Sequence, residues 1–441
     1  MFFRALSLLA ITAGLAVTAT AADWAQWRGQ GRDGKSADTG LLQAWPKDGP
    51  KLLWTVQDVA KVGTGYGSPA VVGDRVYVHG GTAATNAKEF CTCLSTKDGS
   101  VVWKTTLETT EAQFKESWGS GPRDTPTVDG ESLYVLGTAG DLYCLRTADG
   151  KTAWHKNLVR DFGGKVPEWG YSESVLIDGD KLICAPGGGK APIVALNKKT
   201  GETVWKCEAP FDSSYSSAVV AEVGGVRQYV QQLMKDSRGG RKGTGGATVG
   251  VRASDGKLLW KVEDNSYMIA VIPTPVVAGD RVFVTSGYSA GCKLIKLAPD
   301  SNGGTTAEKV YASKNVTNHH GGVVLVGNHI YGHSDSSGGN WVCVDLATGD
   351  EVWTATNLKV KGSVTYADGM LYCYSEAGTL ALVKATTDGW SETGRFDIPK
   401  TSPIRSKTQG KVWPHPVVAN GRLYLRDYEY LYCYDIVQPS K

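Results

Sequence analysis

TPTVDGESLYVLGTAGDLYCLRTADGKTAW, at residues 125–154, decides the fold because the same phrase recurs along most of the chain. Further copies are SVLIDGDKLICAPGGGKAPIVALNKKTGETVW at 174–205 and GGVVLVGNHIYGHSDSSGGNWVCVDLATGDEVW at 321–353. Each copy joins short apolar strands through Gly-containing turns and ends in Asp/Thr-Gly-x-x-x-Trp. A repeat of this length is one supersecondary unit, which buries its apolar faces by stacking on copies of itself.

The Trp that ends each unit allows the units to be counted. It falls at Trp54, Trp103, Trp154, Trp205, Trp260 and Trp353. The long interval between the last two of these holds one more unit, with Val310-Tyr311 where the Trp would be. A seventh unit follows, with Phe396 near the Trp position.

The eighth unit starts at His415 and has three strands without the final one. The missing strand stands at the other end of the chain, in residues 51–56 (KLLWTV). The pattern therefore predicts an all-β fold, an eight-bladed β-propeller of four-stranded antiparallel blades, closed by the N-terminal strand joining the C-terminal blade. Closure of this kind removes free sheet edges, which otherwise invite aggregation.

The start of the chain has the three parts of a secretory signal peptide. Arg4 precedes the apolar run LSLLAITAGLAV, and residues 19–21 (ATA) match a cleavage site. The run is too short for a membrane span, and no Cys follows it closely that could carry a lipid anchor. We expect a signal peptide at 1–21, an N-terminal arm at 22–50, the propeller at 51–437 and a tail at 438–441. The mature protein is then periplasmic or extracellular.

Charge and hydropathy exclude some partners. The 47 basic and 44 acidic residues give a formal net charge of +3, which does not imply a nucleic-acid partner. The one basic cluster, KDSRGGRK at 235–242, is interpreted as a solvated loop of the fourth blade. No later apolar segment is long enough to cross a bilayer, so we expect no transmembrane segment, and we expect a monomer.

The nine cysteines do not read as a disulfide framework. Cys93, Cys144 and Cys343 each lie six residues before the turn Gly of their units, and Cys433 aligns with them. Equivalent positions in different blades are too far apart to pair. We therefore expect these thiols to be buried and unpaired. Adjacent cysteines and CxxC are both absent from the sequence, so metal-ligand spacing is absent too.

Propeller sites usually lie at the mouth of the central channel, in the loops that lead into the innermost strands. In this chain those loops carry unusual polar and aromatic residues, which we expect to converge on one funnel and bind a polar or planar ligand. They are Arg123, Asp124, Trp169, Tyr171, Glu173, Tyr215, His319, His320, Lys361, Trp413 and His415. The alternative is that Arg123 and Asp124 pair locally while the aromatic residues cap the core.

The histidines and carboxylates do not define a catalytic or metal site. Neighbouring side chains on a strand point to opposite faces, so His319 and His320 would bind one metal together only if the backbone bends. His415 could join one of them. Asp124 and Glu173 come from consecutive blades, but their spacing does not fix their separation. We assign no catalytic residue and no metal ligand.

The unit endings DGSVVW, DGKTAW, TGETVW, DGKLLW and TGDEVW resemble those of the pyrroloquinoline quinone (PQQ)-like β-propeller family. Residues 24–34 (WAQWRGQGRDG) resemble the W-x-x-W-R-G-x-x-R-D-G opening of its exported bacterial members. The resemblance spans roughly residues 23–437 and implies the propeller fold. The family includes quinoprotein alcohol dehydrogenases and the non-catalytic outer-membrane assembly factor BamB.

The resemblance implies two functions of different classes. Quinoprotein dehydrogenases hold PQQ with a disulfide of adjacent cysteines, a stacking Trp and a calcium site, and this chain lacks the adjacent cysteines. Trp169 or Trp413 could stack on a quinone and Glu173 could bind calcium. We expect a non-catalytic binding or assembly scaffold, BamB-like, with a protein partner or a small polar ligand. The alternative is a PQQ- and calcium-dependent oxidoreductase of alcohols or sugars.

Overall fold

The computed structural model describes residues 22–83, 88–336, 339–407 and 410–439. In these residues the strands form eight separate four-stranded antiparallel sheets. The first strands of neighbouring sheets contact one another, so they surround a common axis. The predicted all-β, eight-bladed propeller is confirmed. The expected signal peptide, at 1–21, and the last two residues of the expected tail lie outside the described residues.

Strands are given blade by blade, from the innermost strand outwards. Blade one contains Ala70–Val72, Arg75–Gly81, Glu89–Ser95 and Val101–Thr106. Blade two contains Thr127–Asp129, Ser132–Leu136, Asp141–Arg146 and Thr152–Asn157. Blade three contains Leu176–Asp178, Lys181–Cys184, Ile193–Asn197 and Thr203–Cys207. Blade four contains Val219–Val223, Val226–Met234, Gly246–Arg252 and Leu258–Asp264.

The second half of the ring repeats this order. Blade five contains Val276–Ala278, Arg281–Ser286, Gly291–Pro299 and Thr305–Ser313. Blade six contains Val323–Val326, His329–Ser334, Asn340–Asp345 and Glu351–Ala355. Blade seven contains Gly362–Ala367, Met370–Ser375, Thr379–Lys384 and Glu392–Asp397. Blade eight contains Val417–Ala419, Arg422–Asp427, Tyr430–Asp435 and Lys51–Gln57.

In the described residues, helical structure is confined to short connections between strands. The helices are Leu158–Phe162 and Pro403–Lys407, and one 3₁₀ turn covers Gly240–Lys242. Over the described part of the chain, no helix is long and apolar enough to span a membrane.

Blade eight closes the ring as the sequence predicts. Its outermost strand comes from the start of the chain and pairs antiparallel with Tyr430–Asp435, with Lys51 opposite Asp435 and Gln57 opposite Tyr430. Two segments far apart in sequence, Lys51–Gln57 and Tyr430–Asp435, are thus held in one sheet. The predicted pairing is confirmed.

In most blades the repeated Trp joins its blade to the next, whereas in blade four Trp260 Nε1 donates to Gln228 Oε1 of its own blade. The ring of Trp103 in blade one covers Gly150 in the outer turn of blade two, and its Nε1 donates a 2.8 Å hydrogen bond to the carbonyl of Thr147. The same contact, from the Trp ring to the next turn Gly and a nearby carbonyl, is made by Trp54, Trp154 and Trp205. Tyr311 makes it in blade five, as its position in the repeat predicts.

In blade seven two aromatic rings make this contact instead of one. The predicted Trp position also differs from the observed one by two residues. Gly394, not Phe396, occupies the register position of the Trp, just before the bulge. Trp45, from the segment before the first strand, lies directly against Gly394 and 5.9 Å from the Tyr372 ring. Phe396 still covers the next turn glycine, Gly49. Because Gly394 has no side chain, Trp45 occupies the space that the repeated Trp fills in other blades.

The outermost strand of every blade carries a bulge. In blade one, Cys93 faces Trp103 and Leu94 faces Val101, so Val102 is skipped in the pairing. The same shift occurs between the third and fourth strands of all the other blades. Bulges twist an edge and interrupt its ladder, which protects exposed strands from pairing with other chains.

The segment from Ala22 to Trp45 crosses the end of the channel that follows the innermost strands. Its backbone bonds to Val71 in blade one, Val128 in blade two and Tyr366 in blade seven. Further along the chain, the carboxylate of Asp38 accepts from Gly421 in blade eight. The segment therefore covers this end of the channel.

Two buried arginines of the same segment donate hydrogen bonds to backbone carbonyls of two further blades. Arg32 donates to the carbonyls of Ser174 and Val175 in blade three. Arg28 donates to the carbonyl of Val323 in blade six. Because a buried guanidinium needs acceptors, these bonds fix the segment to blades that its backbone does not reach.

All nine cysteines are free and buried, as expected. Cys93, Cys144, Cys343 and Cys433 lie on third strands, each directly opposite the Trp of its blade. Burial raises the pKa of the Cys93 thiol to about 12. These residues act as small apolar groups beneath the indole rings.

The contact between blades predicts different costs for two glycine substitutions. Gly150 and Gly130 both have positive φ, but a Cβ at Gly150 would lie 2.5 Å from the Trp103 ring, whereas a Cβ at Gly130 meets nothing within 4 Å. Gly150→Ala should therefore lower the free energy of unfolding by about 1–3 kcal/mol more than Gly130→Ala, the usual cost of overpacking. Urea unfolding of both variants measures the difference. Equal losses would show that the indole does not require a glycine there.

Candidate functional site

A cavity of about 640 Å³ lies at the end of the channel where the loops lead into the innermost strands. It is opposite the end covered by Ala22–Trp45. Eight of the residues singled out in the sequence line it: Arg123, Trp169, Tyr215, His319, His320, Lys361, Trp413 and His415. The structure thus brings together side chains from loops that are up to 292 residues apart, from Arg123 to His415.

Trp27 forms part of the cavity lining from below. It belongs to the N-terminal segment, and its Nε1 donates a 2.8 Å hydrogen bond to Thr274 Oγ1. Its ring lies 4.6 Å from that of His415. Trp27 was not predicted as a site residue, because it lies outside the repeat and nothing in the repeat indicates that this segment reaches the channel.

One wall is organised around the carboxylate of Glu376. Its Oε1 accepts hydrogen bonds of 2.7 Å from both His320 Nε2 and Trp413 Nε1. Burial acts to raise the pKa of Glu376, but the hydrogen bond and charge of His320 and the bond from Trp413 outweigh it, so the pKa lies below its usual value. The carboxylate fixes the orientation of two rings that face the cavity.

Aromatic contacts extend this wall. The ring of Trp413 lies 4.5 Å from that of Tyr66, and the guanidinium of Arg123 lies 5.7 Å from the Tyr66 ring. The Nη2 of Arg123 donates to the carbonyl of Gly119 at 3.3 Å. Arg123 is therefore held beside the aromatic wall and not by Asp124, so the local pairing considered from the sequence is not formed.

His319 and His320 both face the cavity, although neighbouring residues on a strand would point to opposite sides. The reason is that residues 318–322 form a bend instead of a strand. Asn318 holds the bend by donating to the Gly322 carbonyl and accepting from the Gly322 amide. Gly322 has a φ of +63°, which suits the turn. The two imidazole rings lie 5.6 Å apart.

Two of the histidines that line the cavity, His319 and His415, have lowered pKa values. Burial lowers the pKa of His319, and the neighbouring charges of His320 and Lys361 lower it further, against a hydrogen bond that the imidazole donates to Asp335. Burial, with the charge of Arg28, holds the pKa of His415 well below its usual value. His415 Nε2 lies 3.3 Å from the His320 carbonyl, to which it donates. Near neutral pH both rings are uncharged.

The other wall is built around Trp169. Its backbone amide donates to the hydroxyl of Tyr215 at 3.3 Å. Lys115 lies 5.7 Å from the Trp169 ring and forms an ion pair with Glu168. Lys115 and Trp118 come from the long connection between blades one and two. Arg123 and Asp124 of the same connection were predicted as site residues, but Lys115 and Trp118 were not.

Three of the singled-out residues lie outside this cavity. Asp124 is buried between blades, where its Oδ1 bonds His79 Nδ1 at 2.6 Å. The Tyr171 hydroxyl donates to the carbonyl of Pro186. Glu173 accepts from the Ala185 amide and from Gln231 Nε2 at 3.0 Å. These three side chains point into the body of the propeller, where each forms a hydrogen bond with a buried polar group. The expected convergence of all eleven residues on the cavity therefore does not occur.

Metal binding receives no support from the described residues. Among them, no group of three His, Cys, Asp or Glu side chains is placed to hold a metal ion. His319 instead lies 3.1 Å from Lys361 Nζ, whose positive charge opposes a cation.

The family can now be given. The sequence model of the family described as "Outer membrane protein assembly factor BamB" matches residues 87–355, more than half of the chain. The chain belongs to the BamB family. No curated protein matches it in sequence.

Solved structures agree on the fold of this BamB-family chain. BamB from Moraxella catarrhalis has a TM-score of 0.57 at 14% identity, covering 88% of this chain and 98% of that chain. Quinohemoprotein alcohol dehydrogenase from Comamonas testosteroni has a TM-score of 0.64 at 12% identity, covering 95% and 81%. The computationally designed Ika8 protein has a TM-score of 0.57 at 8% identity, covering 88% and 100%. Likeness at these identities shows the fold and not the activity.

Glu173 generates a prediction about pH. Burial raises its pKa to about 7, against the bonds from Ala185 and Gln231 and the charge of Arg32. A raised carboxyl pKa favours the folded state below the unfolded value, 4.5, and this contribution is lost as the pH rises to about 7. Glu173→Gln, which stays neutral, should therefore gain roughly 3 kcal/mol relative to wild type between these pH values.

Urea unfolding at pH 4.5 and pH 8 measures this difference. Glu131→Gln, at an exposed turn, is the matched control and should show no such trend. A Glu173→Gln variant whose stability relative to wild type is independent of pH would contradict the prediction.

Proposed function

We propose that this protein is an exported, non-catalytic binding or assembly protein of the BamB family, and that its ligand or partner engages the cavity. The observation that carries the proposal is that both carboxylates lining the cavity already have partners within the protein. Glu168 pairs with Lys115, and Glu376 accepts from His320 and Trp413. A general base or a calcium ligand needs a carboxylate free to meet substrate or metal, and here both are used to orient the lining.

The alternative proposal, a PQQ- and calcium-dependent oxidoreductase, fits the residues poorly. The cysteines are all buried and free, so the disulfide of adjacent cysteines that the resemblance implies has no counterpart. Glu173, the candidate calcium ligand, lies outside the cavity, and its raised pKa favours the neutral acid. Trp169 and Trp413 do line the cavity and are available for stacking. The aromatic part of a quinone site is thus present without its disulfide and calcium parts.

The aromatic walls and charged rim of the cavity suit a binding function. Its walls carry Trp and Tyr, which supply large contact areas at small cost in conformational entropy and are enriched where proteins bind partners. Rim residues Lys115 and Lys411 are charged, and Lys411 is exposed. Export is part of the proposal because residues 1–21 follow the pattern of a signal peptide, and the family description refers to assembly at an outer membrane.

An activity assay tests the choice between these functions. The purified mature protein is mixed with PQQ and Ca²⁺, and dye reduction by alcohols and sugars is followed, with a known quinoprotein dehydrogenase as positive control. We expect no bound-quinone absorbance after desalting and no dye reduction above the rate without protein. Dye reduction that depends on PQQ and is lost in Trp169→Ala would overturn the proposal in favour of the oxidoreductase.

A further inference from the structure

We infer that the cavity binds the end of a short acidic oligosaccharide, a chain of sugar rings that carry carboxylates. This inference rests on the proposed binding function and names the class of its ligand. It depends on four properties of the cavity: its charge, the angles between its rings, its unpartnered imidazole nitrogens and its closed lower end.

The charge of the lining favours an anion. Lys115, Arg123, Lys361 and Lys411 face two carboxylates, those of Glu168 and Glu376. Lys115 is paired with Glu168, and Lys361 lies 3.6 Å from Asp335. Arg123 and Lys411 form no ion pair with the described residues, so they are the cations left to meet a ligand carboxylate.

The basic cluster at 235–242 contributes to the same effect. It forms the turn between the second and third strands of blade four, and Gly240 within it lines the cavity. Arg238 folds across the rim, donating to the carbonyls of Val166 and Gln113. The cluster therefore stands beside the mouth, where its positive charge attracts anionic ligands.

The angles between neighbouring rings favour puckered sugar rings over a flat aromatic ligand. Tyr66 and Trp413 are inclined at 40°, and His320 and Trp413 at 47°. Trp27 and His415 are inclined at 58°. A planar molecule is held best between parallel faces, which these neighbouring pairs do not provide. Successive sugar rings present apolar C–H faces in several directions, and tilted indole and phenol rings match them.

The imidazole of His415 adds one acceptor for a hydroxyl group, and that of His320 adds a nitrogen without a partner among the described residues. His415 uses its Nε2 to donate to the His320 carbonyl, which leaves Nδ1 as an acceptor without a partner among the described residues. His320 Nε2 lies 2.7 Å from Glu376 Oε1, and its Nδ1 has no hydrogen-bond partner among the described residues. Both nitrogens are buried beside the cavity. A ligand hydroxyl that reaches them would satisfy them, whereas an aromatic acid without hydroxyls would leave them unpaired, at a cost.

The size and closure of the cavity set the mode of binding. A volume of about 640 Å³ falls within the usual range for ligand pockets and exceeds the needs of one sugar ring. The segment from Ala22 to Trp45 covers the far end of the channel, and Trp27 lines the bottom of the cavity. A chain cannot pass through, so the cavity holds its end while the remainder extends past the rim.

Calorimetric titration tests the inference with a panel of uronic-acid trimers of different linkages, each beside its methyl ester, which keeps the shape and removes the charge. We expect at least one acid trimer to bind and its ester to bind roughly tenfold more weakly, the loss of one charged hydrogen bond. Fluorescence should change on binding, because Trp27, Trp118, Trp169 and Trp413 line the cavity.

Variants separate the contributions of charge and rings. Arg123→Gln should weaken the acid trimer roughly tenfold and leave the ester unchanged, whereas Trp413→Leu should weaken both. Lys151→Gln, at an exposed outer turn, is the control and should bind as wild type. Circular dichroism confirms that each variant is folded.

Each other outcome overturns the inference. Equal affinity for acids and esters would remove the role of charge, and binding of naphthalene dicarboxylates without any trimer would replace sugars by planar acids. Failure of the whole panel would refute the ligand class but leave the proposed binding function standing. That function falls instead if PQQ-dependent dye reduction is found.

Discussion

The contact between an indole ring and the turn glycine of the next blade is the constraint on which the ring depends. Trp103 covers Gly150 and donates to Thr147, so one side chain provides both apolar burial and a directed hydrogen bond between two sheets. Because Trp is among the largest apolar groups a protein can bury, the contact is strong, and because the glycine has no Cβ, the sheets approach closely. Both residues recur with the repeat, which is why the repeat specifies a ring.

The sequence predicted the fold well because this constraint is local and periodic. It gave the number of blades, the closure by Lys51–Gln57 and the role of Tyr311. It could not predict that Gly394 leaves room for Trp45, since Trp45 lies outside the repeat and reaches blade seven through tertiary contacts. The same limit applies to Trp27 in the cavity. Periodicity describes what each blade does for the next and contains no information about a segment that crosses them all.

The candidate site was predictable in part, for a related reason. The repeat showed which loops meet at the mouth of the channel, and eight of the eleven residues singled out there line the cavity. It did not show which way each side chain turns. Glu173 lies only four residues after Trp169 but faces inward, where Ala185 and Gln231 bond it, while the bend at Asn318 brings both His319 and His320 to the cavity. Such choices depend on which buried donors need an acceptor.

These observations divide the molecule into parts with different tasks. The residues of the strands and outer turns make the contacts that hold the blades together. Few other residue types would fit at the positions of their Trp, Cys and Gly residues. The loops at the channel mouth are free of that task, and their aromatic and basic side chains converge because eight blades share one axis. The N-terminal segment is held to the ring by Arg28 and Arg32. It closes one end of the channel, so the channel becomes a cavity that opens at its mouth. The ring thereby gains a cavity with a floor. A cavity with aromatic walls and two cations that form no ion pair with the described residues is suited to binding.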